Sequence, residues 1–251
     1  MQFCCLGSGS KGNTTLVKSN NHVLMIDCGF SVRDVFKRLA AKDCDPVSVK
    51  AILVTHEHSD HIAGVAALAR KLSIPVYASR GTAKTGKLEG VSDMRWIVPG
   101  QRFTIAGVDV DAVTVPHDAC EPCQFVLQAN GRRLGVATDM GFVSAHVLSA
   151  YRQCDAMLLE ANHDTRMLWQ GPYPPSLKHR VAGNWGHLSN EQARQFISAV
   201  DTDRLSTLVL GHISEQNNCV SIVRKHFDEL QNKIGRIVYA SQDDGFDWLA
   251  V

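Results

Sequence analysis

Ala51-Ile-Leu-Val-Thr-His56-Glu-His58-Ser-Asp60-His61-Ile-Ala-Gly64 is the most informative segment of this 251-residue chain. It begins as an apolar run, which predicts a buried strand, and ends in four side chains that can bind metal ions: His56, His58, Asp60 and His61. Imidazole and carboxylate groups are ligands of zinc, and manganese accepts the same set. Because His56 and His58 can share one side of an extended segment, one ion could take this pair and a second ion the other. The alternative is a solvated loop in which Asp60 caps the following helix.

Length and composition predict a globular protein with a sizeable core. A sandwich of two sheets with outer helices would use the whole chain, and 45% of the residues are hydrophobic. The formal net charge of +1 supplies no overall field, so a nucleic-acid substrate would need a local basic patch. We find no apolar run of about 18 residues and no signal peptide, and therefore expect a cytoplasmic protein without membrane contact.

The eight cysteines are expected to be reduced thiols in that compartment. Cys120-Glu-Pro-Cys123 is a CxxC pair, which can indicate redox chemistry or a metal site. A thioredoxin-type pair lies at a helix start after a strand, whereas this pair follows His117 in a predicted loop. We therefore do not expect a redox role.

Several later predicted strands also end in a polar side chain. Asp139 follows a hairpin predicted around Asn130-Gly131, a strong turn dipeptide. Asp139 could instead cap the helix that begins near Ser144, but it lies several residues too early for that. The complete set of such strand-end residues is His117, Asp139, Glu160 and His212.

Apolar periodicity and capping residues predict the helices. Ser31 can cap the first helix, and Ser189 with Gln192 forms a capping-box pattern. The predicted helices run from about Ser31 to Ala41, His61 to Leu72, Arg80 to Lys87, Ser189 to Val200 and Val220 to Leu230.

The segment Thr55-His-Glu-His-Ser-Asp-His61 resembles the HxHxDH signature of metallo-β-lactamase-fold hydrolases. This resemblance implies a single domain over residues 1–251, built as a four-layer αββα sandwich with one or two metals at the sheet edges. It also implies that His117 is the third-motif histidine and Asp139 the metal-bridging aspartate. With His212 as a seventh ligand, two divalent ions, manganese or zinc, would be held by His56, His58, Asp60, His61, His117, Asp139 and His212.

Further segments are similar to the YycJ/WalJ-like branch of this family over nearly the whole chain. They are Gly9-Ser-Lys-Gly-Asn13, Glu160-Ala-Asn-His-Asp164, Gly171-Pro-Tyr-Pro174, Gly186-His-Leu-Ser-Asn190 and Gly211-His-Ile-Ser-Glu-Gln-Asn-Asn218. Members of that branch are metal-dependent, typically manganese-dependent, 5′-to-3′ DNA exonucleases linked to mismatch repair. The resemblance therefore implies a phosphodiesterase that acts on single- or double-stranded DNA ends. The alternative is a small-molecule metallohydrolase: a cyclic phosphodiesterase, lactonase or thioesterase.

Glu160 and His187 match a further pair of positions in the nuclease and phosphodiesterase branches. There a histidine outside the metal shell acts as general acid on the departing oxygen, and an acidic residue positions it. We therefore expect His187, Glu160 and Asp60 to take part in catalysis. The alternative is that Glu160 caps a helix and His187 lies on a surface turn.

Residues from about 163 to 186 mix cations, aromatics and prolines, and we interpret them as a lid. Its cations could meet phosphates and its aromatics could stack on a terminal base; the alternative is a solvated loop. The glycine-rich turn after the first strand could also approach an anion. The candidate substrate-binding residues are Ser8, Ser10, Asn13, Arg166, Trp169, Tyr173, Lys178, Arg180 and Asn218. The sequence does not indicate an oligomeric state.

Overall fold

Two seven-stranded sheets form the inner layers of the protein in the computed structural model, which describes residues 1–200 and 202–251. The first sheet has the order β14-β1-β2-β3-β4-β5-β6. Its strands pair antiparallel from β14 to β3 and parallel from β3 to β6. They are β1 (Gln2–Gly7), β2 (Thr14–Ser19), β3 (His22–Ile26), β4 (Val49–Leu53), β5 (Val76–Ser79), β6 (Met94–Ile97) and β14 (Phe246–Ala250).

The second sheet repeats this division into an antiparallel and a parallel half. Its order is β13-β12-β11-β10-β9-β8-β7, antiparallel from β7 to β10 and parallel from β10 to β13. The strands are β7 (Arg102–Ile105), β8 (Val108–Thr114), β9 (Cys123–Ala129), β10 (Arg132–Ala137), β11 (Ala156–Glu160), β12 (Thr207–Gly211) and β13 (Arg236–Tyr239).

Helices cover the outer face of each sheet. The helices are α1 (Val32–Ala41), α2 (Ser59–Ile62), α3 (Val65–Leu72), α4 (Arg80–Ala83), α5 (Ala145–Ala150), α6 (Thr165–Gln170), α7 (Pro175–Ala182), α8 (Asn190–Ala199) and α9 (Val220–Phe227). Short 3₁₀ turns span Pro46–Ser48 and Asp228–Leu230. One apolar cluster lies between the sheets, a second joins the first sheet to α1 and α3, and a third joins the second sheet to α5, α8 and α9. The predicted αββα sandwich is therefore confirmed.

The position of β4 explains why apolar and polar residues do not alternate along its sequence. Ala51 and Leu53 pack between the two sheets, whereas Ile52 and Val54 pack against the helices on the outer face. Both faces are buried, so both sets of side chains are apolar. The strand therefore delivers the following histidines to the edge of the sandwich.

Local signals predicted several boundaries correctly. Ser31 caps α1 through the amide of Asp34, and Ser189 with Gln192 forms the predicted capping box of α8. Asn130 and Gly131 form the predicted hairpin turn, both with positive φ. The lid interpreted from sequence contains the two helices α6 and α7.

Two helix predictions were wrong. The expected helix from His61 to Leu72 is divided into α2 and α3 at Gly64, where a Cβ would lie 1.9 Å from the carbonyl oxygen of Phe30. The expected helix from Arg80 to Lys87 ends at Ala83, and Gly86 has a φ of +79°. Close packing ends the regular helix in the first case, and a left-handed turn follows it in the second.

Within residues 1–200 and 202–251, none of the helices has the length and hydropathy that a membrane crossing requires.

Candidate active site

Polar residues that follow β3, β4, β8, β10 and β12 meet at one edge of the sandwich. The structure brings together all seven predicted ligands in overlapping groups whose nitrogen and oxygen atoms lie within 4.8 Å of one another. One group contains His56, His58 and His117. Nε2 of His117 lies 3.2 Å from Nδ1 of His58. These three imidazoles could hold one divalent ion.

A second group contains Asp60, His61 and His212. Oδ2 of Asp60 lies 3.4 Å from Nε2 of His61 and 3.6 Å from Nε2 of His212. Asp139 lies between the two groups: Oδ2 is 3.2 Å from Nε2 of His61, and Oδ1 is 4.0 Å from Nε2 of His117. Asp139 can therefore reach ions in both groups.

Three buried polar atoms in this cluster have no hydrogen-bond partner among the described residues: His56 Nε2, Asp139 Oδ2 and His212 Nε2. An unsatisfied buried polar group costs about 1–3 kcal/mol, whereas metal ions bound to the two groups would satisfy all three. Imidazole and carboxylate donors without thiolates suit zinc or manganese. The chemistry of the donors thus fits a pair of divalent ions.

Asp27, which follows β3, is a site residue that was not among those predicted from the sequence. Its Oδ2 lies 2.8 Å from Nδ1 of His61, and its carboxylate accepts hydrogen bonds from the amide and hydroxyl of Thr55. Thr55 Oγ in turn lies 2.9 Å from Nδ1 of His56. Asp27 therefore orients one candidate ligand directly and a second through Thr55. Its position at a strand end, like that of Asp139, was the available signal.

The carboxylates set the charge of the surrounding histidines. Burial disfavours the charged form of His61, but Asp139, Asp27 and Asp60 outweigh burial and raise its pKa well above the ordinary value. Burial likewise opposes charge on His212, yet Asp139, Asp60 and Glu160 raise its pKa to about 10. Burial lowers the pKa of His56, where the neighbouring His61 adds to the effect. The acidic side chains therefore lie mainly around the second set of candidate ligands, where they favour positive charge.

Glu160 and His187 form a hydrogen-bonded pair beside this cluster. Nδ1 of His187 lies 3.1 Å from Oε2 of Glu160, whose other oxygen accepts the amides of Met140 and Leu188. Burial alone would raise the pKa of Glu160, but its hydrogen bonds with His187 and His212 lower it to about 2. Glu160 is thus a fixed carboxylate, whereas His187 is partly exposed. Glu160 therefore does not cap a helix, and His187 faces a cavity.

The cavity has a volume of about 360 Å³ and opens over the histidine cluster. The lid contributes Tyr173, Arg180 and Val181 to its wall. The other lining residues are Ser10, His58, Ser59, Asp60, Lys87, Asp139, Asn162, His187, His212, Ile213, Ser214 and Asn217. A polar cavity of this kind suits a polar substrate.

Three predicted substrate-binding residues, Ser10, Tyr173 and Arg180, line this cavity. Arg180 donates to Asp118, whose carboxylate also lies 3.7 Å from Nε2 of His58. Asp118 therefore links the lid to the first group of candidate ligands, a contact that the sequence did not indicate.

Three other predicted substrate-binding residues are buried and support the site from within. Ser8 Oγ accepts the amide of His212, and Asn13 donates to Oδ2 of Asp60. Asn218 donates to the carbonyl oxygens of Ala161 and Asn162. The structure therefore does not place these side chains against a substrate.

The remaining predicted contacts lie on the lid outside the cavity wall. Arg166 is exposed, Trp169 packs edge-on against His179 with ring centroids 5.1 Å apart, and Lys178 donates to the carbonyl oxygen of Trp169. The structure does not bring Arg166, Trp169 or Lys178 to the candidate metal centre.

The CxxC pair shows no sign of activation. Cys123 is buried and Cys120 is exposed, and neither is in a disulfide. Burial raises the pKa of Cys123, and Glu57 raises that of Cys120. Both thiols therefore disfavour the reactive thiolate.

Comparisons with known proteins agree with this fold. A family model described as the beta-lactamase superfamily domain matches residues 22–213. A protein named exodeoxyribonuclease YycJ, from Bacillus anthracis, is 34% identical over 239 residues, which cover 94% of this chain and 90% of that protein. Exodeoxyribonuclease WalJ from Streptococcus pneumoniae strain D39 is 34% identical over 224 residues, covering 86% of this chain and 83% of the relative. The crystal structure of the metallo-beta-lactamase fold protein YhfI from Bacillus subtilis superposes with a TM-score of 0.75 at 16% identity, over 99% of this chain and 98% of YhfI.

Proposed function

The chain belongs to the β-lactamase superfamily, in the branch of exodeoxyribonucleases YycJ and WalJ, and from this premise we propose that it is a dinuclear-metal 5′-to-3′ DNA exonuclease of mismatch repair. The observation that carries the proposal is the Glu160–His187 pair, which faces the same cavity as the candidate metal ligands. The names of these relatives support the DNA substrate, whereas the polarity and the repair role are proposed from the motif resemblance described above.

We infer that the seven clustered side chains bind two divalent ions, manganese or zinc. His56, His58 and His117 would hold one ion, Asp60, His61 and His212 the other, and Asp139 would bridge them. When bound, such a pair supplies an activated water and neutralises charge that develops on a phosphate.

His187 is the proposed general acid. Its Nδ1 is engaged by Glu160, which leaves Nε2 to donate a proton to the departing sugar oxygen. The departing alkoxide is a poor leaving group, so this proton transfer is worth roughly 10²–10⁴ in rate. Glu160 acts on His187 by holding the ring, and it is itself held by the amides of Met140 and Leu188.

We propose one domain over residues 1–251, with residues 163–186 as a lid that admits a DNA end. Tyr173 and Arg180 place the lid against the cavity, and the aromatic ring of Tyr173 can stack on a base.

The test is incubation with end-labelled single- and double-stranded DNA and RNA in the presence of manganese or zinc. We expect mononucleotides to be released stepwise from the 5′ end of DNA. Cleavage that starts at the 3′ end would contradict the polarity. Rapid thioester or lactone hydrolysis without DNA cleavage would replace this proposal with a small-molecule hydrolase.

A further inference from the structure

Lys87 brings a lysine ammonium to the wall of the cavity. It follows α4 in sequence and is exposed to solvent. Nζ donates to the carbonyl oxygen of Glu57 at 2.8 Å and to Oγ of Ser59 at 3.3 Å. Both acceptors belong to the segment that carries His58 and Asp60. The ammonium therefore lies beside the segment that carries two candidate ligands, on the wall of the same cavity.

The acceptors of Lys87 are both neutral. Within residues 1–200 and 202–251, no carboxylate forms an ion pair with it. Arg180, the arginine on the same wall, is instead paired with Asp118. Lys87 thus keeps its positive charge available to a substrate, whereas much of the charge of Arg180 is already neutralised.

The hydrogen bonds of Lys87 are separate from those of the proposed proton donor. The described hydrogen bonds of Lys87 go to Glu57 and Ser59, and none goes to a candidate ligand atom or to the Glu160–His187 pair. An ammonium acts as a compact, strongly hydrated point charge, which suits contact with a phosphate oxygen. A nucleic acid carries such phosphates on both sides of the one that reacts.

We propose that Lys87, with the hydroxyl of Ser59, forms a binding site for the substrate phosphate that flanks the scissile one. This inference rests on the proposed function. In it, Lys87 favours a polynucleotide over a diester that has a single phosphate. The ammonium binds a non-bridging oxygen of the flanking phosphate and takes no part in the proton transfer.

The test compares K87M and K87R with K84M, a control at an exposed lysine on the same segment that does not line the cavity. Each variant is assayed with a single-stranded oligonucleotide and with bis(p-nitrophenyl) phosphate, which has no flanking phosphate. For K87M, the ratio of kcat/KM on the oligonucleotide to kcat/KM on the small diester should fall about tenfold or more, the effect of one charge-assisted hydrogen bond. K87R should restore most of this ratio, and K84M should resemble the wild type.

The salt dependence gives a second readout that a structural role would not change. Loss of one phosphate contact should reduce the slope of log(kcat/KM) against log[salt] on the oligonucleotide by about 0.7 for K87M. Metal content measured in parallel distinguishes this effect from damage to the metal centre.

Equal losses on both substrates, or loss of bound metal, would overturn the inference because Lys87 would then act on the reacting phosphate or on the metal loop. An unaltered ratio and salt slope in K87M would overturn it while leaving the proposed function in place. A wild-type protein that cleaves the small diester but no nucleic acid would overturn both.

Discussion

Three residues around the candidate metal centre, Asp27, Asp139 and His212, have left-handed backbone, with φ values of 60°, 54° and 51°. This conformation costs a non-glycine residue roughly 1–2 kcal/mol. All three follow strands, so the turn aims each side chain back towards the cluster. Such strain persists where the surrounding structure imposes it, and it concentrates at functional sites.

The proposed proton donor can be tested by replacing His187 with alanine. We expect H187A to lose roughly 10²–10⁴ in kcat on DNA. The loss on a nitrophenyl phosphodiester should be far smaller, because nitrophenolate needs little protonation to leave. Parallel kinetics on both substrates, with metal content determined for the same preparations, measure the difference.

H146A is the matched control, since His146 is exposed on α5. Equal losses on the two substrates in H187A would refute the general-acid role.

Asp60 tests the assignment of the second metal group. Its Oδ2 lies near both His61 and His212, so D60A removes a carboxylate from this group. We expect weak or no binding of the second ion, because two histidines and a shared Asp139 offer it too few donors. Metal analysis after dialysis, with D93A at a surface ion pair as control, provides the measurement. Two full equivalents retained by D60A would contradict the assignment.

At the scale of elements, the break between α2 and α3 couples the fold to the site. Gly64 packs against the carbonyl oxygen of Phe30 and donates its amide to Cys28. Asp60 and His61 lie in α2, immediately before this contact. The close approach of Gly64 to Phe30 therefore fixes the positions of two candidate ligands, Asp60 and His61.

G64A should destabilise the protein by about 2 kcal/mol or more, because the added methyl group meets backbone and not a flexible side chain. Chemical denaturation gives the free energy of unfolding. G235A is the control, since among the described residues its Cβ would meet the carbonyl oxygen of Ser206 alone, at 3.3 Å. Comparable stabilities of the two variants would show that the α2–α3 contact can relax.

At the scale of the whole molecule, Asp155 links segments of the second sheet by hydrogen bonds at the end opposite the site. Its carboxylate accepts from Arg132, Arg204 and the amide of Arg133, and its carbonyl oxygen accepts the amide of Ser206. Burial opposes the charge of Asp155, but Arg204 and the other donors outweigh burial and lower its pKa below 3.8. The ionised carboxylate therefore stabilises the fold.

This stabilisation has a defined pH dependence. A carboxyl group whose pKa is lower in the folded state contributes fully above its unfolded pKa, and the contribution is lost as pH falls through the folded pKa. D155N should lower the free energy of unfolding at pH 7 by about 2 kcal/mol, the scale of hydrogen bonds to a charged group. The difference between wild type and D155N should shrink as the pH falls below about 4.

Urea denaturation of the metal-free wild type and D155N across this range measures the difference. If the difference in the free energy of unfolding between wild type and D155N stayed constant down to the lowest pH, the ionic role of Asp155 would be contradicted.

Near neighbours in the sequence were enough to predict the strand-to-loop pattern, the hairpin at Asn130-Gly131, the caps at Ser31 and Ser189, and the candidate ligands between His56 and His61. These features depend on near neighbours: a cap bonds an amide three residues away, and a buried strand is apolar wherever it lies. The family resemblance supplied the four-layer architecture and the pairing of Glu160 with His187. The break at Gly64 could not be predicted, because it depends on a carbonyl oxygen 34 positions away in the chain.

Which of the polar residues line the cavity depends on the tertiary structure. Ser8, Asn13 and Asn218 satisfy buried backbone and carboxylate groups, whereas Ser10, Tyr173, Arg180 and Lys87 line the cavity. Asp27 and Asp118 also acquire their roles from residues distant in sequence. The neighbouring sequence of a serine or lysine is the same kind of pattern whether the residue is buried or lines the cavity. Its partners across the sandwich determine whether its polar atoms are already satisfied.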